Sequence, residues 1–155
     1  MPDMLVNLYR LPSNQENIQK LKEKGIRIER ALAPNRHKVM EFARENFGEG
    51  WASEVSAAFS NNPVTCYIAI RDHEVLGFAC FDATAKDYFG PTGVKECERG
   101  QGIGLALLLQ SLKGLKEAGY GYGIIGSAGP VHFYEKCCGA QVIENDQPNI
   151  YSRMI

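Results

Sequence analysis

The sequence predicts a single α/β (α+β) domain, with a mixed, mostly antiparallel sheet flanked by helices. Three observations carry that expectation. Stretches with a two-residue hydrophobic alternation are interleaved with stretches of helical periodicity. Two strand-like runs, VTCYIAI and VLGFACFDA, are joined by the short turn RDHE and read as an antiparallel hairpin. A leucine-dense helical run follows a strand through the glycine-rich stretch ERGQGIG. A chain of 155 residues, 45% of them hydrophobic, builds one core of this layered kind but not two.

The elements follow in order. MLVNLYRL reads as a strand, and Ser13 with Glu16 has the spacing of a capping box that opens a helix to about Lys24, ended by Gly25. IRIERAL alternates like a half-exposed strand. Pro34 suits the first turn of a helix whose inner face carries Val39, Phe42, Ala43 and Phe47. FGEG breaks that helix, and Trp51, Val55, Ala58 and Phe59 mark the next, which SNNP stops. After the hairpin, a strand from about Tyr88 to Cys97 contains GPTG and is expected to be kinked or bulged. A helix from Gly102 to about Ala118 follows, capped by Gly119. YGIIGS is a short buried strand, GPVHFYEKCCG a short helix, and AQVIE and NIYSRMI read as closing strands.

Bulk properties exclude several functions. Seventeen basic against eighteen acidic residues leave a net charge of −1, and the densest basic run, QKLKEK, is interrupted by an acid. Nucleic-acid binding rests on clustered cations, so no nucleic-acid partner is expected. The N-terminus lacks a basic leader followed by a long apolar stretch, and LALLL is too short to cross a bilayer, so neither secretion nor a membrane partner is expected. Cysteines 66, 80, 97, 137 and 138 have no zinc-like spacing and read as reduced thiols of a cytoplasmic protein. His37, His73 and His132 do not cluster, and no metal is assigned.

Glycines at 100, 102 and 104 stand directly before the leucine-rich helix. The first amides of a helix have no partner within it, and they carry the positive end of its dipole. Bare of Cβ atoms, they can approach a bulky anion, and Arg99 adds a full charge for a phosphate oxygen. The loop is not a P-loop, because neither Lys nor Ser/Thr follows the glycines. It also misses G-x-G-x-x-G, since Leu105 and Leu107 occupy the sixth positions.

RGQGIG does resemble the [QR]-x-x-G-x-[GA] loop of the GNAT superfamily of N-acetyltransferases, which grips the pyrophosphate of acetyl-coenzyme A. SAGPVHFYEKCCGAQVI, about thirty residues on, is similar to that superfamily's second landmark, a short helix carrying F-Y-E-K. The resemblance covers residues 26–155 and implies a GNAT-type fold there, with residues 1–25 as an added strand and helix. It departs from the pattern at Ser127 (commonly Asn), Glu96 (frequently Pro) and Ala140 (usually aromatic).

The resemblance implies direct transfer of acetyl from acetyl-CoA to an amine, with no metal. Val94, Lys95, Glu96, Arg99, Gly100, Gln101, Gly102, Ile103, Gly104 and Ser127 would hold the coenzyme. Backbone of the kinked strand around Val94 and Glu96 would pair with its pantetheine arm. Tyr134 would protonate the leaving thiolate, the alternative being a core tyrosine bonded to backbone. Asp82, Glu96, Glu49 and Glu54 are candidate bases and the sequence does not choose among them. Glu49, Trp51 and Glu54 would receive the acceptor, by cation–π and ion-pair attraction, although Trp51 also suits a core cap. Two other readings stay open: a non-catalytic acyl-CoA sensor, and a module binding another diphosphate. The closing segment NIYSRMI, as an edge strand, could pair in a homodimer.

Overall fold

The computed structural model describes residues 1–155. Seven strands form one sheet: β1 (Met4–Asn7), β2 (Arg27–Arg30), β3 (Cys66–Arg71), β4 (Glu74–Phe81), β5 (Tyr88–Val94), β6 (Tyr122–Ile125) and β7 (Gln141–Val142). Five helices surround it: α1 (Gln15–Glu23), α2 (Arg36–Phe47), α3 (Glu49–Phe59), α4 (Ile103–Glu117) and α5 (Val131–Cys138). Strand order is β2-β3-β4-β5-β6-β1-β7. Every neighbouring pair is antiparallel except β5 and β6, which run parallel.

The predicted hairpin is β3–β4. Its two-residue turn, Asp72–His73, has φ of +51° and +64°, the paired positive values that match the twist of the flanking strands. Alternate residues of these strands serve opposite faces of the sheet. Tyr67, Ala69, Leu76, Ala79 and Phe81 join the larger core, under α1, α4 and α5, while Cys66, Ile68, Phe78 and Cys80 join the smaller one, under α2 and α3. The leucine rhythm of α4 is buried as expected, with Leu107, Leu112 and Leu115 at 0% exposure. The anticipated irregularity of β5 appears as a register shift against β4 between Ala79 and Phe81.

Two expectations differ from the structure. Ser13 and Glu16 form no capping box: α1 starts at Gln15, one residue too late for Ser13 to be its N-cap, and the Ser13 hydroxyl accepts only from the Gln15 amide (3.3 Å). NIYSRMI is not a strand but a 3-10 turn, Ile150–Arg153. A capping box decides this, because Asn149 Oδ1 accepts from the Tyr151 amide (3.0 Å) and Ser152 Oγ accepts from the Asn149 amide (3.1 Å). With no edge strand there, the reason for expecting a homodimer falls away. The first strand, β1, lies between β6 and β7, paired with both.

Candidate functional site

The site begins where two strands part. β5 and β6 pair only at Tyr88–Ile124 and Phe89–Ile125, after which they diverge. From Thr92 to Val94, β5 is paired with β4 on one edge, and its other edge faces the gap. A cavity of about 730 Å³ fills that gap. On one face of the sheet it is bounded by the start of α4 and by Phe133 and Tyr134 of α5; on the other it reaches Phe47 and Trp51, where α2 meets α3.

The glycine loop supplies the cavity's polar end. Gly102 has φ of +95°, a left-handed conformation that lets the chain turn sharply into α4. Its carbonyl makes the first helical bond, accepting from the Ala106 amide at 3.1 Å, and no carbonyl of the protein accepts from the amides of residues 100–105. These are the orphan donors of a helix start, aimed into an open space. At Gly104 a Cβ would meet nothing closer than Val94 Cγ2 at 3.9 Å, so that space is held open by the lack of a side chain.

Side chains fix the loop from three directions. Arg71 of β3 pairs with Glu98 at 2.5 Å, and this bond, foremost, holds the Glu98 carboxyl below the usual carboxylate range. Gln101 Nε2 donates to the same carboxylate (2.9 Å) and to the Glu98 carbonyl (3.0 Å). From α1, Asn17 Nδ2 donates to the Gly102 carbonyl (3.2 Å). Arg99 Nε donates to the Val94 carbonyl (3.1 Å), which ties the loop to β5 and leaves the guanidinium at the cavity's edge.

Tyr134 lies deep in the cavity wall, 5% exposed, with Phe89 and Phe133 packed edge-on against its ring. Burial, with a smaller contribution from Cys138, pushes its hydroxyl up to about 12. It is therefore a neutral O–H donor across the physiological range. Ser127 also lines the cavity; its amide donates to Asp3 Oδ1 (2.8 Å), and Asp3 is buried.

A family model described as the acetyltransferase (GNAT) family matches residues 32–140. The chain belongs to the GNAT family of acetyltransferases. Solved structures agree on the fold. A GCN5-related glucosamine N-acetyltransferase region of a fungal multi-domain GH3 β-N-acetylglucosaminidase superposes with a TM-score of 0.74 at 14% identity, covering 92% of this chain and 19% of that one. A GCN5-related N-acetyltransferase from Sphaerobacter thermophilus gives 0.69 at 21% identity, covering 92% and 48%. This chain thus spans about a fifth and about half of those two. No curated protein matches the chain.

Within this GNAT chain, the cavity brings together Trp51, Val94, Arg99, Gly100, Gly102, Ile103, Gly104, Ser127 and Tyr134 from the sequence-predicted set. The other candidates lie off it. Lys95 and Glu96 are exposed; the Lys95 amide is taken by the Leu76 carbonyl (2.8 Å) and Glu96 opens a 3-10 turn, so the free strand edge ends at Val94. Gln101 is turned back onto Glu98. Asp82, at φ of +53°, uses Oδ1 to accept from the Asp87 amide (2.7 Å) and shapes the turn into β5. Glu49 pairs with Arg44 (2.6 Å) and its side chain is 74% exposed. Glu54 is half-buried and bonded to Thr84; burial lifts its carboxyl above the usual range, against the pull of that bond.

Trp51 takes the core-capping role that the sequence allowed, and it also borders the cavity. It stacks on Phe47 (centroids 4.7 Å apart) and meets Phe78 edge-on, capping the smaller core, while its exposed part lines the cavity. Sequence reasoning missed Asn17 and Asp3. Asn17 sits 85 positions from the carbonyl it holds, and Asp3 is 124 from the amide it holds, so no local spacing signals either.

Proposed function

We propose that the protein is an acetyl-CoA-dependent N-acetyltransferase, passing the acetyl group directly to a primary amine of a small molecule or a protein. One observation carries this reading: unpartnered amides at the start of α4 adjoin a splayed strand edge, in one cavity with a buried tyrosine. The amides of residues 100–105, with Arg99, would hold the pyrophosphate. The free edge of β5 up to Val94 would take the pantetheine arm as an added strand. The acyl end would then reach the closed end of the gap, near Phe89 and Gly126.

Tyr134 serves the departing sulfur. A thiol's reference pKa is about 8.5, well below that of the Tyr134 hydroxyl, so complete proton transfer to a thiolate is uphill. The hydroxyl works by donating a hydrogen bond as charge develops on sulfur, where a fixed donor in a dry site counts most. The far face of the gap, with Trp51 and the half-buried Glu54 nearby, suits a cationic acceptor.

The test pairs calorimetric titration of acetyl-CoA with release of free CoA in the presence of amines. Binding together with amine-dependent release is the expected result. Tight binding without release above background would leave an acyl-CoA-binding regulatory domain instead. Displacement of acetyl-CoA by ATP or NAD would point to a general diphosphate module.

A further inference from the structure

The loop that joins β6 to α5, residues 126–130, forms part of the cavity wall through Gly126, Ser127, Gly129 and Pro130. Ser127 has φ of +47°, a left-handed backbone that costs a serine free energy. The other non-glycine residues with positive φ are Asp72, His73, Asp82, Asp87 and Asn145, types that adopt it more readily. No side chain caps α5, which opens directly from Pro130. The loop is held from outside instead, by the stretch before β1. The Pro2 carbonyl accepts from the Ala128 amide (2.7 Å), and Asp3 Oδ1 accepts from the Ser127 amide (2.8 Å).

Asp3 is itself fixed on both sides. Its amide donates to Asp146 Oδ2 (2.9 Å), and its carbonyl accepts from the Ile143 amide (2.9 Å). It is 4% exposed, and a carboxyl so buried costs free energy unless it finds a hydrogen bond. The Ser127 amide is its donor. From there the line to the chemistry is short. Pro130 follows three residues after Ser127, and its carbonyl accepts from the Tyr134 amide (3.3 Å), the bond that opens α5.

Accepting the transferase reading above, we propose that Asp3 is a positioning residue for Tyr134. By holding the Ser127 amide it keeps the loop in its left-handed form, which sets the root of α5 and the reach of the Tyr134 hydroxyl toward the departing sulfur. Asp3 is outside the cavity wall and touches no reacting atom. Without it, Ser127 would relax toward the ordinary backbone of a serine and turn α5 at its start. A shift of about 1 Å in a group that serves the transition state can cost about 100-fold in rate.

The test uses the full chain with acetyl-CoA, and phenethylamine, spermidine and glucosamine as acceptor probes. Asp3→Ala should lower kcat about tenfold or more, while calorimetric affinity for acetyl-CoA stays within about threefold. Asp3→Asn keeps an oxygen for the Ser127 amide and should hold kcat within about threefold of wild type. In a Tyr134→Phe background, Asp3→Ala should cost less than about threefold more, because the hydroxyl it positions is gone. In wild-type protein the Ser127 amide should exchange slowly with solvent, a readout that needs no variant to fold. Asp3→Asn as slow as Asp3→Ala, or equal losses of kcat and affinity, would overturn the positioning role and leave the transferase standing. So would a full tenfold further loss in the Tyr134→Phe background, or rapid exchange at Ser127. Wild-type protein that binds acetyl-CoA but releases no CoA with any probe would overturn the transferase reading, and this role with it.

Discussion

The two faces of the sheet meet at the cavity, and they are built from different materials. On the α4 face the site is mostly backbone: the amides of residues 100–105 and the free edge of β5. On the α2–α3 face it is side chains: Phe47 and Trp51, from the ends of α2 and α3 that meet there. Backbone donors need only glycines and a helix behind them, a requirement many sequences can meet. A constellation of side chains needs particular residues at each place. Under the proposed transferase reading, the first face would take a coenzyme shared across a family, and the second this chain's own acceptor.

The sharpest way to break this comparison is Gly104→Val. A Cβ there has room in the fold, with its nearest neighbour 3.9 Å away, but its branches would fill the space before the amides. Acetyl-CoA affinity should fall by about 100-fold or more, the loss of several charge-assisted hydrogen bonds, while the melting temperature holds. Gly102→Val is a poorer test. Its φ of +95° would add about 1–2 kcal/mol of backbone strain, and its Cβ would stand 2.7 Å from Asn17 Nδ2. Loss of binding there would mix folding with recognition.

Tyr134→Phe should come next, with kcat about 100-fold lower and calorimetric affinity for acetyl-CoA unchanged. Equal loss in both would assign Tyr134 to binding rather than to the leaving sulfur. Asn17→Ala removes the hydrogen bond to the Gly102 carbonyl. A bond of this kind contributes about 1 kcal/mol, so affinity should weaken about fivefold with kcat intact; no change would mean that Arg71, Glu98 and Gln101 suffice to hold the loop.

The smallest effect concerns Asp87, in the turn that links the faces. Burial and the neighbouring Asp82 raise its carboxyl to about 6, and its Oδ1 is buried without a hydrogen-bond partner. An unfolded Asp titrates near 3.9, so the folded form binds more protons between those values. Its contribution to stability is full below pH ~4 and is lost as pH rises through about 6. Asp87→Asn should abolish that decline, a difference of about a degree or two in melting temperature because the group is partly solvated.

The sequence made the coenzyme face legible because its signals are local. RGQGIG and HFYEK are contiguous, and the hairpin, α4 and its buried leucines each follow a period that a short window contains. The far face was legible only in part, through Trp51 and Glu54. Glu54 and Thr84 are 30 positions apart, and Tyr151 lies in a stretch whose alternation imitates a strand until Asn149 and Ser152 cap it as a turn. Asp82 and Glu96 had the right charge near the right loop, but one is spent shaping a turn and the other faces solvent.

The position of β1 has a consequence for how the molecule comes into being. Met4–Asn7 is made more than a hundred residues before its partners, Tyr122–Ile125 and Gln141–Val142. Until those residues emerge, its apolar groups and both of its edges stay unmatched, so the sheet closes only after more than a hundred further residues have been made. Such distant pairing slows folding and lengthens exposure to aggregation. Trimming even the first seven residues would unstitch β7 from the sheet and remove Asp3 from beneath Ser127.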